Sequence, residues 1–146
     1  ATYNLDITLI GDYWGWFGKR SYHHTAPVNA LYALHESLRM LAAEGLENAW
    51  KRHQDMHLVL RAGLEKLGLK FVVAEDSRLP QLNAIYIPEG VDDAAVRARL
   101  LKDYNLEIGA GLGALAGKAW RIGLMGFGAR RENVALCLRA LEEVLN

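Results

Sequence analysis

Two apolar-periodic segments, residues 26–43 and 46–67, stand back to back with only Glu44 and Gly45 between them. In the first, Leu31, Leu34, Leu38 and Leu41 recur at three- and four-residue spacing. In the second, Leu46, Trp50, Leu60, Leu64 and Leu67 fall on one stripe. That period predicts amphipathic helices, with Gly45 ending the first and Gly68 stopping the second. A domain boundary is therefore placed near Gly45, giving residues 1–45 and 46–146.

Beyond Gly68 the pattern changes. Leu69 to Val73 reads as a strand, and Ala74 to Leu79 as a loop closed by Pro80. Leu82 to Ile87 is a second strand, stopped by Pro88 and Gly90. Asp92 caps a helix reaching about Tyr104, with Val96, Leu100 and Leu101 inward. Leu106 to Ile108 is a short strand, Gly109 to Gly117 a glycine-rich loop, Ala119 to Leu124 a last strand and Glu132 to Leu145 a last helix. The order αββαββα predicts an α+β module: a small, mostly antiparallel sheet with helices on one side. Upstream, Leu5, Ile7 and Leu9 alternate with Asp6 and Thr8, which predicts a short strand or extended piece. The run Tyr13-Trp14-Gly15-Trp16-Phe17 is too aromatic to be left in water and is expected to bury against a partner.

Charge and cysteine content narrow the function classes. Lysine plus arginine equals aspartate plus glutamate, at 17 each. A neutral balance argues against a nucleic-acid or anionic-membrane surface and favours association with other subunits. One cysteine, Cys137, rules out an intrachain disulfide framework; among Val134, Leu138 and Leu141 it reads as a small core residue. No apolar run reaches the length of a membrane span, and no signal peptide is visible at the start. The chain starts without methionine and in mid-pattern, as a fragment would.

Three groups of residues could carry chemistry. Ser21-Tyr22-His23-His24-Thr25-Ala26-Pro27 places four donors, a phenol, two imidazoles and a hydroxyl, before a helix start, a setting suited to a phosphate or carboxylate. Read locally, Thr25 is an N-cap and Pro27 a first-turn proline. Arg121 alternates with Trp120 and Ile122 on a strand, sharing its face with Gly123 and Met125. Gly123 leaves space beside the guanidinium, which can hold a carboxylate through two parallel hydrogen bonds; read locally, it is a surface arginine. His53 and His57 are four apart on a helix, but Gln54 stands where a zincin needs glutamate and no third ligand is evident, so no metal site is expected. The glycine loop fits neither nucleotide fingerprint. Ala114 occupies the third glycine position counted from Gly109, and Ala119 follows Lys118 where a P-loop needs Ser or Thr. The loop is expected to bring backbone close to a ligand or a partner domain. His35, Glu36, Glu44 and Glu47 read as solvated helix residues.

Tyr22-His23-His24-Thr25, Leu31 to Leu38, Glu44 to Trp50, Gly111-Leu112-Gly113, Gly117-Lys118 and Arg121-Ile122-Gly123-Leu124, in this order, resemble the alanine–glyoxylate and serine–pyruvate aminotransferases. These are class V, fold-type I enzymes that use pyridoxal 5'-phosphate (PLP). The resemblance covers nearly the whole chain but only the C-terminal part of such an enzyme. It implies that residues 1–45 end the large PLP-binding domain and that residues 46–146 form the small C-terminal domain. It implies that Tyr22 and Thr25 bind the cofactor phosphate across a homodimer interface, and that Arg121 binds the substrate α-carboxylate. The substrates implied are small amino acids and 2-oxo acids, with an amino group passing from alanine or serine to glyoxylate or pyruvate. Family members often carry Gly-Gly-Leu-Gly-Pro where Ala110 and Ala114 stand here. The Schiff-base lysine is expected upstream, since none of Lys19, Lys51, Lys66, Lys70, Lys102 and Lys118 has the family's context for it. The chain alone is then expected to be inactive, and the parent enzyme to be cytoplasmic. The competing expectation is a stand-alone, non-catalytic α+β amino-acid-binding module.

Overall fold

The computed structural model describes residues 2–146, which divide into two compact units at Ala43/Glu44. In the first unit a short 3-10 turn, Tyr3–Leu5, leads into helix α1 (Ile7–Trp14). The strand expected around Leu5, Ile7 and Leu9 is absent. Asp6 decides the matter: its carboxylate accepts from the backbone N–H groups of Thr8 at 2.9 Å and Leu9 at 3.4 Å, capping a helix where the alternation suggested extended chain. Gly15, at φ 81°, closes that helix in the left-handed conformation. The aromatic run is not buried either: Trp14, Trp16 and Phe17 are all exposed.

Helix α2 (Val28–Glu44) forms where the leucine spacing places it, yet none of its residues is buried. Leu31, Leu34 and Leu38 are each more than half exposed. An apolar stripe requires a partner surface, and within the first unit the stripe of α2 has none.

The second unit begins with helix α3 (Leu46–Lys66), whose buried face is Ala49, His57, Leu60 and Leu64. Leu46 and Trp50 lie on the same stripe, ahead of the core, and stay exposed. The helix ends in a Schellman motif. Gly68 takes φ 77°, its N–H bonds the Glu65 carbonyl at 3.0 Å, and the Leu69 N–H reaches back to Leu64 at 3.0 Å. The strand expected over 69–73 reduces to a single bridge, Phe71 to Ile85, flanked by hydrogen bonds from Val72 to Ala84 and from Tyr86 to Lys70.

Strand β1 (Leu82–Tyr86), helix α4 (Asp93–Tyr104), strand β2 (Gly109–Ala110), strand β3 (Ala119–Gly123) and helix α5 (Arg131–Leu145) complete an α+β fold. Asp92 caps α4 through Ala95 N–H at 3.0 Å. The strand expected at Leu106–Ile108 starts later, because Asn105 (φ 51°) and Leu106 are used to end α4, the Leu106 N–H bonding the Leu100 carbonyl. The sheet is antiparallel in the order β1-β3-β2, with Ile85 opposite Trp120, Asn83 opposite Ile122, and Gly109 opposite Arg121. Directly opposed residues share a face. Asn83, Ile85, Trp120 and Ile122 accordingly face the core, with Leu60, Leu64, Leu100, Val134 and Leu141; α5 packs against both α3 and α4. Cys137 lies in this core, where burial pushes its thiol up to about 12. No helix among the described residues is long and apolar enough to cross a membrane.

Two polar contacts tie the sheet to the helices. His57 Nδ1 lies 2.7 Å from Asn83 Oδ1 inside the core. The Trp120 indole N–H donates to Asp93 Oδ1 at 2.8 Å. The Arg97 guanidinium, then this indole N–H, hold the Asp93 carboxyl below its ordinary value. A lowered folded-state value stabilises the fold above the unfolded value, near 4, and that contribution is lost as pH falls through the lowered one. Asp93→Asn keeps an acceptor for the indole but removes the titration. Its melting temperature should therefore fall less than that of the wild type between about pH 4 and pH 2, as thermal denaturation across that range would read out.

Candidate functional site

The sequence-derived site residues fall into two clusters, one in each unit. In the first unit, Tyr22 Oη and Thr25 Oγ1 are 2.8 Å apart. Both residues are exposed, Tyr22 by 71%. Thr25 does not cap α2. It sits three residues before the first helical residue, and the first i−4 bond runs from Leu31 N–H to the Pro27 carbonyl. Its hydroxyl is spent on Tyr22 instead. Two mutually bonded hydroxyls keep one free O–H, and both can rotate to donate to an incoming anion.

The two imidazoles behave differently from the two hydroxyls. His23 is 5% exposed and stacks on the Tyr3 ring at a centroid separation of 4.3 Å. Its Nε2 lies 3.0 Å from the Tyr3 carbonyl, and its Nδ1 lies 2.7 Å from His24 Nδ1. Nε2 must donate to a carbonyl, so in neutral His23 Nδ1 accepts and His24 Nδ1 donates. The Tyr3 hydroxyl donates to the His23 carbonyl at 3.0 Å. The four expected donors thus separate: the histidines brace the segment, and the phenol and hydroxyl face outward.

In the second unit, Arg121 lies half-buried at mid-strand in β3, on the face opposite Trp120 and Ile122. Its Nε donates to the Ala110 carbonyl at 2.8 Å. Among the described residues no carboxylate pairs with it, which leaves both terminal nitrogens free. The glycine that makes room for the guanidinium is Gly109, its cross-strand partner: a Cβ there would stand 3.3 Å from Nη2 and 3.5 Å from Nε. Sequence reasoning assigned that space to Gly123, whose missing side chain is approached instead by the Met125 methyl, 3.0 Å from where a Cβ would be. The glycine loop serves its own folding. A Cβ on Gly111 would lie 2.0 Å from the Leu115 carbonyl oxygen, and Gly113 and Gly117 both take positive φ.

The paired histidines of α3 are committed to structure. His53 Nδ1 contacts the Ala49 carbonyl at 2.6 Å and its Nε2 accepts the Gly126 N–H at 3.2 Å, while His57 is bound to Asn83. No group of three or more His, Cys, Asp or Glu side chains suited to a metal occurs among the described residues. All six lysines are exposed.

One arrangement had no signal in the sequence. Arg52 forks onto Glu44, with Nε to Oε1 at 2.5 Å and Nη2 to Oε2 at 2.9 Å, and its Nη1 donates to the carbonyls of Gly126 at 2.8 Å and Ala129 at 3.1 Å. Glu44 is therefore not a free solvated charge; the Arg52 contact holds its carboxyl below the usual range. Asn133 Nδ2 donates to the Phe127 carbonyl at 2.9 Å. Partners more than 70 residues apart leave no local pattern to read. The turn they hold, Gly126–Gly128, follows the strand that carries Arg121 after Leu124 and Met125. Arg52→Ala should cost about 1–2 kcal/mol in urea denaturation of the intact protein, and Arg52→Lys should recover little, since an ammonium cannot make the fork.

No family model matches the chain. Alanine–glyoxylate aminotransferase from Callithrix jacchus is 41% identical over 99% of this chain and 36% of its own length. (S)-ureidoglycine–glyoxylate transaminase from Bacillus subtilis is 40% identical over 97% of this chain and 33% of its own length. The crystal structure of alanine–glyoxylate aminotransferase from Nostoc sp. superposes with a TM-score of 0.90 at 52% identity, covering 100% of this chain and 38% of that one. The chain thus spans little more than a third of the length of the relatives it matches, and the match runs through both units. By sequence and by fold, it corresponds to the C-terminal part of the alanine–glyoxylate aminotransferases.

Proposed function

We propose that this chain is the carboxylate-binding and phosphate-binding C-terminal part of a PLP-dependent aminotransferase that moves an amino group from alanine or serine to glyoxylate or pyruvate. The observation that carries this reading is Arg121: half-buried on a sheet face, fixed through Nε to Ala110, and without a carboxylate of its own. Such a fork presents two parallel N–H donors, the geometry that an α-carboxylate accepts. Amino donor and keto acceptor both carry that group, so one arginine serves both halves of the reaction.

The Tyr22–Thr25 hydroxyl pair fits a phosphate. It is exposed, it is not consumed by helix capping, and it stands just ahead of the α2 N-terminus, whose partial positive charge favours an anion. PLP, when bound, supplies the electron sink for the reaction. The protein's own residues hold the phosphate at Tyr22 Oη and Thr25 Oγ1 and orient the substrate carboxylate at the Arg121 Nη atoms. The lysine that anchors the cofactor belongs to another part of the protein, a reading supported by the exposure of all six lysines here. A homodimer in which Tyr22 and Thr25 reach the neighbouring subunit's cofactor accords with the uncovered leucine stripe of α2 and the neutral charge balance. The 146-residue chain by itself is then inactive.

The test uses the longer protein that contains this chain. Arg121→Ala should raise KM for both amino acid and keto acid and lower kcat/KM by about 2–4 kcal/mol, with little recovery in Arg121→Lys. Tyr22→Phe and Thr25→Ala should each weaken PLP affinity by about 1–3 kcal/mol and shrink the rise in melting temperature that PLP produces. Unchanged KM in Arg121→Ala would return that residue to the surface. Unchanged PLP affinity in Tyr22→Phe would remove the segment from the cofactor site.

A further inference from the structure

The turn that follows β3 is held more firmly than its position requires. Between Met125 and Ala129 the backbone is a 3-10 turn with glycines at both ends, Gly126 in the left-handed region at φ 53°. Four side-chain contacts fix it: Arg52 to the Gly126 and Ala129 carbonyls, Asn133 to the Phe127 carbonyl, and His53 to the Gly126 N–H. Arg52 is itself fixed by Glu44. Such a brace keeps a turn in one conformation, and the Met125 backbone enters that turn through its carbonyl, which accepts the Gly128 N–H at 2.9 Å.

Met125 is 63% exposed. Its methyl turns back along the strand to lie over Gly123, the next residue after Arg121 on the same sheet face. That face therefore has an arginine fork at one position, bare backbone at the next, and a thioether methyl covering the bare backbone. A molecule whose carboxylate sits on the Arg121 Nη atoms would have this methyl along the β3 side of its binding space. On the other side Gly109 offers no side chain, and the guanidinium itself fills that gap.

We propose that Met125 determines substrate specificity: standing at the entry to the turn that Arg52, His53 and Asn133 brace, it forms an apolar wall beside the Arg121 carboxylate site and limits the size of the amino-acid or keto-acid side chain. The inference rests on the carboxylate-binding role proposed for Arg121. Methionine suits such a wall because its flexible thioether closes over small groups without a polar atom to satisfy. One methylene more or less in an apolar pocket changes discrimination by roughly 10–200-fold, so even one side chain can set the preference between alanine and a longer amino acid.

The experiment measures kcat/KM of the PLP-loaded longer protein for alanine, 2-aminobutyrate and norvaline with glyoxylate as acceptor, in wild type, Met125→Ala, Met125→Phe and Arg121→Ala. Met125→Ala is expected to raise the norvaline-to-alanine ratio of kcat/KM about tenfold, and Met125→Phe to lower it. Arg121→Ala is expected to raise KM for all three donors alike. An unchanged ratio in both Met125 variants, with the Arg121 effect present, would overturn the Met125 inference and leave the carboxylate site standing. Unchanged KM in Arg121→Ala would overturn the carboxylate site and the inference with it. Met125 is exposed, so its variants are expected to fold as the wild type does, and circular dichroism checks this.

Discussion

Strand β3 is hydrogen-bonded on both sides, with Trp120, Ile122 and Leu124 facing the core, and the placement of Arg121 depends on that constraint. Trp120, Ile122 and Leu124 enter the core, so the residues between them must turn outward. A one-residue slip would bury a guanidinium and expose an indole, an exchange costing far more than any local gain. The Trp120 indole fixes the register further, because its N–H has its partner in Asp93 on α4. On the neighbouring strand, Asn83 is also buried and bound to His57 on α3. Sheet and helices are locked together by polar contacts as well as by packing, and the outward face is fixed with them.

That outward face is made of omissions as much as of side chains. Gly109 gives the guanidinium its room, Gly123 leaves bare backbone, and Gly111 lets the loop between β2 and β3 fold onto its own carbonyls. Ala110 contributes only its carbonyl, which positions Arg121 Nε. An arginine anchored at Nε keeps its planar fork oriented at little further entropic cost on binding, which is the kind of preorganisation a carboxylate site needs. The Arg52 brace plays the same part for the turn beyond the strand.

Most helices were legible because each carries both a period and a stop. α3 has its stripe and Gly68; α4 has Asp92 and an inward Val96 and Leu100. β3 was legible from its alternation, and the outward position of Arg121 with it. The misreadings share a cause: a cap outweighed a pattern. Asp6 turned an alternating stretch into α1, and Asn105 with Leu106 ended α4 and delayed β2 to Gly109. The exposed leucines of α2 and the exposed Trp14 and Trp16 show the other limit. Periodicity states that a face needs cover without saying what covers it. Gly109 as the partner of Arg121 and Arg52 as the brace of a turn were not legible, since both follow from pairing across the fold.

Each unit carries one cluster of the proposed function: in the first, Tyr22 and Thr25 for a phosphate; in the second, Arg121 for a carboxylate. The measurement that tests it most directly is a crystal structure of the longer protein, loaded with PLP and soaked with an unreactive carboxylate that mimics the keto acid. Both carboxylate oxygens are expected within about 3 Å of the Arg121 Nη atoms, and phosphate oxygens within the same distance of Tyr22 Oη and Thr25 Oγ1. A carboxylate bound elsewhere while Arg121 faces solvent, or a phosphate that touches neither hydroxyl, would contradict it.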